Sequence, residues 1–267
     1  MARETPGERG FALLVVLWTL VLLSLLITQL TLSGRGEAQL AGNLRLAATV
    51  QAAADAGIQA AIFHALDSSA AHWPADGRPR RIELPGAAVD IRIESQAGRI
   101  NPNTASPELL AALLHAVGAD VRTAAALAAD IVAWRFPGSQ AGPTGSAAAR
   151  YRAAGRDFTA PGTPFQSIGE LGLVLGMTPA LLAGAAPYLS LYRDGDPDLA
   201  LAAAPVARAM AETYGAARAG GGGDESVIGI TSSAGAGGSR FVRRAVVRVG
   251  TQGNGSPYRI LTWETGE

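Results

Sequence analysis

Residues 11–32 carry no ionisable side chain, and their apolar positions follow no period. As a helix rising roughly 1.5 Å per residue, this stretch spans about 33 Å, the thickness of a bilayer core. Beyond it the pattern changes instead of stopping. Leu40, Leu44, Ala47, Ala54, Ile58, Ala61 and Ala65 fall at three- and four-residue steps, Arg45 and Asp55 lie off that stripe, and no proline intervenes before Pro74. One helix over residues 11–66 is expected, apolar all round in its first half and amphipathic in its second. Such a helix needs two surroundings: lipid or other helices first, then a globular body laid against one face.

Pro74, Gly77 and Pro79 end the helical pattern, and two short strands follow, RRIEL from Arg80 and AVDIRIES from Ala88, split by Pro85 and Gly86. In the second, Val89, Ile91 and Ile93 alternate with Asp90, Arg92 and Glu94, the mark of a half-buried hairpin. The sequence then turns helical. Ser106, Pro107 and Glu108 read as a helix start, because serine accepts an orphan amide bond, proline fits the first turn and an acid suits the helix dipole; Gly118 closes that helix. A second helix is expected over 122–134, then a loop rich in Gly, Pro and Ala to about Thr163. Two short helices follow in FQSIGELGLVLGMTPALLAGAAPYL, the second starting at Thr178 and Pro179. YLSLYRDGDPDL reads as a strand leaving the helical block, residues 205–214 as a further helix, and GAARAGGGGDE as a flexible loop. SVIGITSS, FVRRAVVRVG and PYRILTWE alternate again and complete the sheet. The order of elements predicts an α+β fold, with a long N-terminal helix on an antiparallel sheet and an inserted all-helical block.

Composition narrows the function. Of 267 residues 48% are apolar, enough for a packed core, and 22 basic residues balance 22 acidic ones, so the whole molecule has no electrostatic reason to seek nucleic acid. Every basic residue is arginine, which fits a nucleotide bias shared with the abundant Ala and Gly. The absence of cysteine removes disulfides, thiolate metal sites and thiol catalysis. The apolar segment is longer than the core of a secretory signal and ends in Thr28, Gln29, Thr31 and Ser33 without an A-x-A site, so it is expected to be kept. Arg3 and Arg9 before it place the short leader in the cytoplasm and the bulk outside.

Catalytic signatures are missing. There is no G-x-S-x-G or H-E-x-x-H, and the glycine runs at Gly220 and Gly235 lack the Lys-Ser/Thr of a phosphate loop. His64, His72 and His115 are scattered and read as ordinary surface or packed residues. Arg240, Arg243, Arg244 and Arg248 read as a solvated strand face or a partner surface. INPNTASPELLAALL with FQSIGELGLVLGMTPALL resembles paired helix-hairpin-helix elements. The turn at Gly176 lacks the usual Gly-hydrophobic-Gly hairpin and basic residues nearby are few, so the likeness implies a fold (SAM or helix-hairpin-helix-like) without DNA binding.

RGFALLVVLW, AGRINPNTASPELLAALL, AADIVAWR, YRAAG with PFQSIGELGLVLGMTPALL, PYLSLY, DGDP and PYRILTW, in this order, resemble the type II secretion minor pseudopilins of the GspK family. The resemblance implies a prepilin leader over 1–10, a membrane or filament-core helix over 11–32, a pilin-like part over 33–103 and 191–267, and the inserted block over 104–190. It implies cleavage between Gly10 and Phe11 by a prepilin peptidase and N-methylation of Phe11. Pseudopilins usually carry Glu at the fifth mature position; here it is Val15, which fits a subunit at the filament tip. The implied partners are minor pseudopilins of the I and J types, the major pseudopilin, the inner membrane, and the secretin or secreted cargo, with no nucleic acid and no enzymatic activity. Relatives bind calcium near the helical block, which makes Asp157, Asp194, Asp196 and Asp198 candidate ligands, although GSAAARY has alanines where relatives tend to be acidic. An anchored DNA-binding protein, a minor pilin of a type IV pilus and an exported anchored enzyme are the alternative readings.

Overall fold

The computed structural model describes residues 6–136, 144–193, 195–215, 226–250 and 255–266. The long helix is a single element, α1 (Pro6–Leu66). It starts at Pro6, within the expected leader, where proline's missing amide leaves no bond unmade. Its second half lies on a five-stranded antiparallel sheet whose strands β1 (Arg80–Leu84), β2 (Ala87–Ser95), β3 (Val227–Ala236), β4 (Ser239–Val249) and β5 (Tyr258–Gly266) pair in sequence order. Val50, Ala53, Ala54, Ile58, Ala61 and Ile62 meet Val89, Ile91, Ile93, Ile230, Ala234 and Ala245 in one buried cluster. Leu40 and Leu44 sit at the same helical steps and remain exposed. The sheet ends at the turns holding Gly86 and Gly237, beside Thr49 and Leu46.

The closeness of α1 to the sheet depends on Gly57. A Cβ there would fall on the hydroxyl of Ser232 and 2.8 Å from Cγ1 of Val89. Ser232 is fully buried, and among the described residues its Oγ has no hydrogen-bond partner. Gly57→Ala is therefore expected to destabilise by about 2 kcal/mol through overpacking, while Ser232→Ala is neutral or stabilising by up to about 1 kcal/mol because it removes an unsatisfied hydroxyl. Thermal unfolding of the two variants and the double variant checks this; the double should recover part of the Gly57→Ala loss.

Between β2 and β3 lie α2 (Pro107–Ala116), α3 (Val121–Arg135), α4 (Thr144–Ala153), a 3₁₀ segment (Ile168–Leu173), α5 (Pro179–Ala185), a 3₁₀ turn (Ala186–Tyr188) and α6 (Ala204–Tyr214). Side chains cap four of them: Ser106 accepts from Leu109 N and Thr178 from Leu181 N, as the sequence suggests, and Asp120 accepts from Thr123 N and Ser167 from Glu170 N. Glu170 reciprocates, its carboxylate accepting from Gln166 N at 3.0 Å. These elements share a second core, with Leu109, Leu113, Leu127, Ile131, Trp134 and Leu171 among its buried members.

Three expectations are corrected here. The Gly, Pro and Ala-rich stretch holds a helix, α4. It is tied by Tyr151, buried beside Trp134 and Phe158, and by Arg150, which donates to both carboxylate oxygens of Asp130 at 2.7 Å. One buried aromatic leaves no helical period to read. The strand expected after Tyr188 does not form; Leu189 makes one parallel bridge to Ile100, and the chain then turns through Pro197. Helix α6, grouped by sequence order with the pilin-like part over 191–267, instead buries Val206, Ala209 and Met210 in the helical core. The expected loop at 216–225 lies outside the described residues.

Candidate functional site

The first feature that calls for a partner is the apolar half of α1. Phe11 is 71% exposed, Trp18 66% and Val15 43%, and large apolar side chains on every side of the helix as far as Ile27 are open. Both threonine hydroxyls in this stretch bond within the helix: Thr19 Oγ1 donates to Val16 O and Thr28 Oγ1 to Ser24 O, both at 2.8 Å. These two need no water, and Leu13–Thr28 is otherwise almost wholly apolar, so it suits an apolar medium or a bundle of helices. Leu13–Thr28 is a shorter apolar segment, and among the described residues Gln39–Leu66 is the one long and apolar enough by itself to cross a bilayer, but its buried stripe is already taken by the sheet. Gly10 and Phe11 lie together within the unbroken helix.

The second feature is the hinge between the two cores, built on INPNT. Asn101 Nδ2 donates to Arg193 O at 2.6 Å, while its Oδ1 accepts from Asn103 N at 2.8 Å. Asn103 pairs with the backbone of Phe165 in both directions, Nδ2 to the carbonyl at 3.0 Å and Oδ1 from the amide at 2.8 Å. Each asparagine thus imitates a strand neighbour where no strand exists. Arg135, at the end of α3, is buried and donates to Pro102 O and Ala105 O; burial pulls its pKa below the usual arginine range. The sequence marked INPNT and AADIVAWR only by resemblance, and their physical work is to join these segments. Nearby, burial pushes the Tyr192 phenol up, with Glu264 adding to the effect.

The arginines on β4 have separate fates. Arg240 Nε donates to Ser233 Oγ at 2.9 Å, Arg244 is exposed, and Arg248 Nη2 donates to Tyr192 O at 3.4 Å. Arg243, expected on a solvated or partner face, turns inward instead. Its Nε lies 2.5 Å from Asp55 Oδ1 and its Nη1 donates to Thr265 Oγ1 at 3.1 Å. The rings of Phe241 and Trp263 flank its guanidinium at 4.9 and 5.5 Å. The reason is register: Arg243 shares the helix-facing side of β4 with Ala245 and Val247, and Asp55 on α1 reaches down to it.

All three histidines of the chain hold loops. The Nδ1 atoms of His64, His72 and His115 pair with the carbonyls of Ala71, Asp67 and Ala119 at 3.0, 3.1 and 2.9 Å, and His64 stacks on Trp73 with centroids 4.1 Å apart. An open pocket of about 410 Å³ beside the end of α1 is lined by His72, Trp73, Asp76, Ile93, Ser95 and Leu201 among others, yet the Ser95 hydroxyl already accepts from Ala97 N. Of the calcium candidates, Asp157 is exposed on the loop after α4, Asp198 Oδ1 accepts from Ala200 N at 2.9 Å, and Asp196 sits in the loop after Arg193; Asp194 lies outside the described residues. Among the described residues no three His, Asp or Glu side chains come together to hold a metal.

Residues 88–194 match the family model of type II secretion system protein K. A chain in the crystal structure of the GspK-GspI-GspJ complex from the enterotoxigenic Escherichia coli Type 2 Secretion System is similar over 87% of this chain and 99% of that one, with a TM-score of 0.63 at 15% identity. No curated protein matches the chain.

Proposed function

We infer, from the match of residues 88–194 to the family model of type II secretion system protein K, that this chain is a minor pseudopilin that caps the pseudopilus tip and helps start its assembly for export of folded proteins. The observation that carries the reading is α1 itself: one end packed on the sheet, the other a bare apolar rod that must be covered by lipid before assembly and by neighbouring helices after it. We read the sheet with α1 as a pilin-like frame and the helices between β2 and β3 as a SAM or helix-hairpin-helix-like insertion. Repeated along a thin filament such a projection would obstruct packing; at the tip it is free to meet the secretin or cargo.

Prepilin peptidase would remove residues 1–10 and methylate Phe11, leaving the helix in the inner membrane and the bulk in the periplasm. Val15 then supports the tip position. A subunit inserted beneath another buries the upper one's terminal ammonium in apolar surroundings, where an unpaired charge costs several kcal/mol as an order of magnitude, and a glutamate at the fifth position answers it. The topmost subunit has no ammonium above it, so a glutamate there would be the unpaired charge. Partners of the I and J types are supported by the similar solved complex, which contains GspI and GspJ; the major pseudopilin would follow below. The chain is a structural component in this reading, not an enzyme.

Mass spectrometry of the N-terminus, with and without a cognate prepilin peptidase, tests the reading. A peptidase-dependent terminus at Phe11 carrying one added methyl group is expected, and Val15→Glu is expected to weaken recovery of the I and J subunits with the chain. An intact leader in both samples, or cleavage beyond Leu32, would remove the pseudopilin assignment and favour a plain membrane anchor.

A further inference from the structure

We propose that the outer edge of β5 receives an extended segment of a partner protein as an added strand, with apolar residues at alternate positions and an acidic residue beside Arg259. The inference does not rest on the tip reading, because it concerns only the sheet and its two edges.

β1 and β5 are the edges of the five-stranded sheet, and they are finished differently. An edge strand offers a row of unpaired amides and carbonyls to any extended chain; short length, proline and an inward-pointing charge are common protections. β1 has each of them. It runs for five residues between Pro79 and Pro85. Arg80, directly opposite the buried Ile91, lies on its helix-facing side, where the guanidinium donates to Asp76 Oδ1 at 3.0 Å. β5 is nine residues long and holds no proline. Its helix-facing row is uncharged: Tyr258, Ile260, Trp263 and Thr265, opposite Val249, Val247, Ala245 and Arg243 of β4. Among the described residues no strand pairs with β5 on its other side.

Helix α1 crosses β2, β3 and β4, and Tyr258 packs against the core they form. Beyond that cover, Ile260 and Trp263 are 37% and 38% exposed. Two residues three apart in a regular strand face opposite sides; here the ladder shifts register between Val246 and Val247, and the resulting bulge turns both side chains to the helix side. The bulge thus gathers an apolar strip. The Trp263 ring also flanks the Arg243 guanidinium at 5.5 Å, which accounts for part of its placement but not for Ile260. On the opposite side of the sheet Arg259 stands across from Arg248, like charge against like, which favours an acid in the incoming strand. An added strand bonds to β5 through its main chain and lays an apolar side chain on Ile260 and Trp263, so that affinity and selectivity come from different atoms. A helix or a lipid surface on the same strip would leave the edge amides unpaired.

Selection of phage-displayed short random peptides on the full chain in detergent, with counterselection on Ile260→Lys, tests the proposal. The lysine puts a charge on the helix-facing side of β5, as Arg80 does on β1; where that variant does not fold, Ile260→Thr takes its place. The wild type is expected to enrich peptides with apolar residues at every second position and an acid among them. At about ten times its Kd the best of these should slow amide exchange within Tyr258–Gly266 by roughly tenfold. N-methylation of its alternate amides should abolish the protection in one of the two alternating patterns, the one that faces β5, and spare it in the other. No enrichment over the variant, a three- and four-residue period in the enriched peptides, protection confined to segments outside β5, or equal binding of both methylated forms would overturn the proposal. So would sedimentation showing that the wild type pairs with itself and that Ile260→Lys does not, because the occupant of the edge would then be a second copy.

Discussion

Asp55→Ala is expected to cost about 3 kcal/mol of stability, or roughly 9 °C in midpoint, although the residue lies off the apolar stripe of its helix. Its carboxylate is the partner of Arg243, whose side chain is only 9% exposed while that of Asp55 is 35% exposed. Removing the acid leaves the guanidinium held by Thr265 and two aromatic rings, with no countercharge and poor access to water. The opposite replacement separates this cause from simple loss of packing. In Asp55→Ala/Arg243→Met the buried charge is gone, Met fills much of the arginine stem's space, and the pair should recover a large part of the loss in a double-mutant cycle. If the double variant unfolds at the sum of the two single effects, the pair is not coupled and the explanation fails. Chemical denaturation in detergent gives the four midpoints.

Gly98→Ala should be about as damaging, roughly 3 kcal/mol, for a steric reason. A Cβ at residue 98 would fall on Leu201 O, 2.5 Å from Leu201 C and 2.7 Å from Ala202 N. Those are backbone atoms and cannot rotate aside. The crossing lies where the chain leaves β2, directly beside the bond from Asp198 N to Ala97 O at 2.9 Å, so a methyl group here would push apart the segments that join the helical region to the sheet. Gly42 provides the contrast. It lies exposed in α1 with nothing within 4 Å of its would-be Cβ, and Gly42→Ala should stabilise by about 0.5–1 kcal/mol through helix propensity. Circular dichroism melts of the two alanine variants should therefore move in opposite directions; equal shifts would remove the packing account of Gly98.

Local chemistry explains why so much of this protein was legible from its sequence. The long helix, the Val89, Ile91 and Ile93 face, the serine and threonine caps and the three closing strands each follow from neighbours a few residues apart. Where a segment is held by one distant contact the reading failed: α4 depends on Tyr151 and Arg150 meeting residues of other elements, and α6 belongs to the helical core because α2 lies beside it. Resemblance to relatives, not a local pattern, suggested Asp157, Asp194, Asp196 and Asp198 as calcium ligands, and among the described residues no three acids or imidazoles come together.

By itself, then, the sequence determined most of the helices and strands, that residues 11–32 require apolar surroundings, and that the amphipathic half of α1 must lie on a sheet; hydrophobic period and capping act locally and survive any arrangement of the parts. Only the tertiary structure decided that Arg243 turns inward to Asp55, that Gly57 and Gly98 mark the closest approaches, and that Arg193 faces the carbonyls of its own loop. Those outcomes depend on which atoms meet across long stretches of chain, and on whether a charge that leaves water finds its partner there.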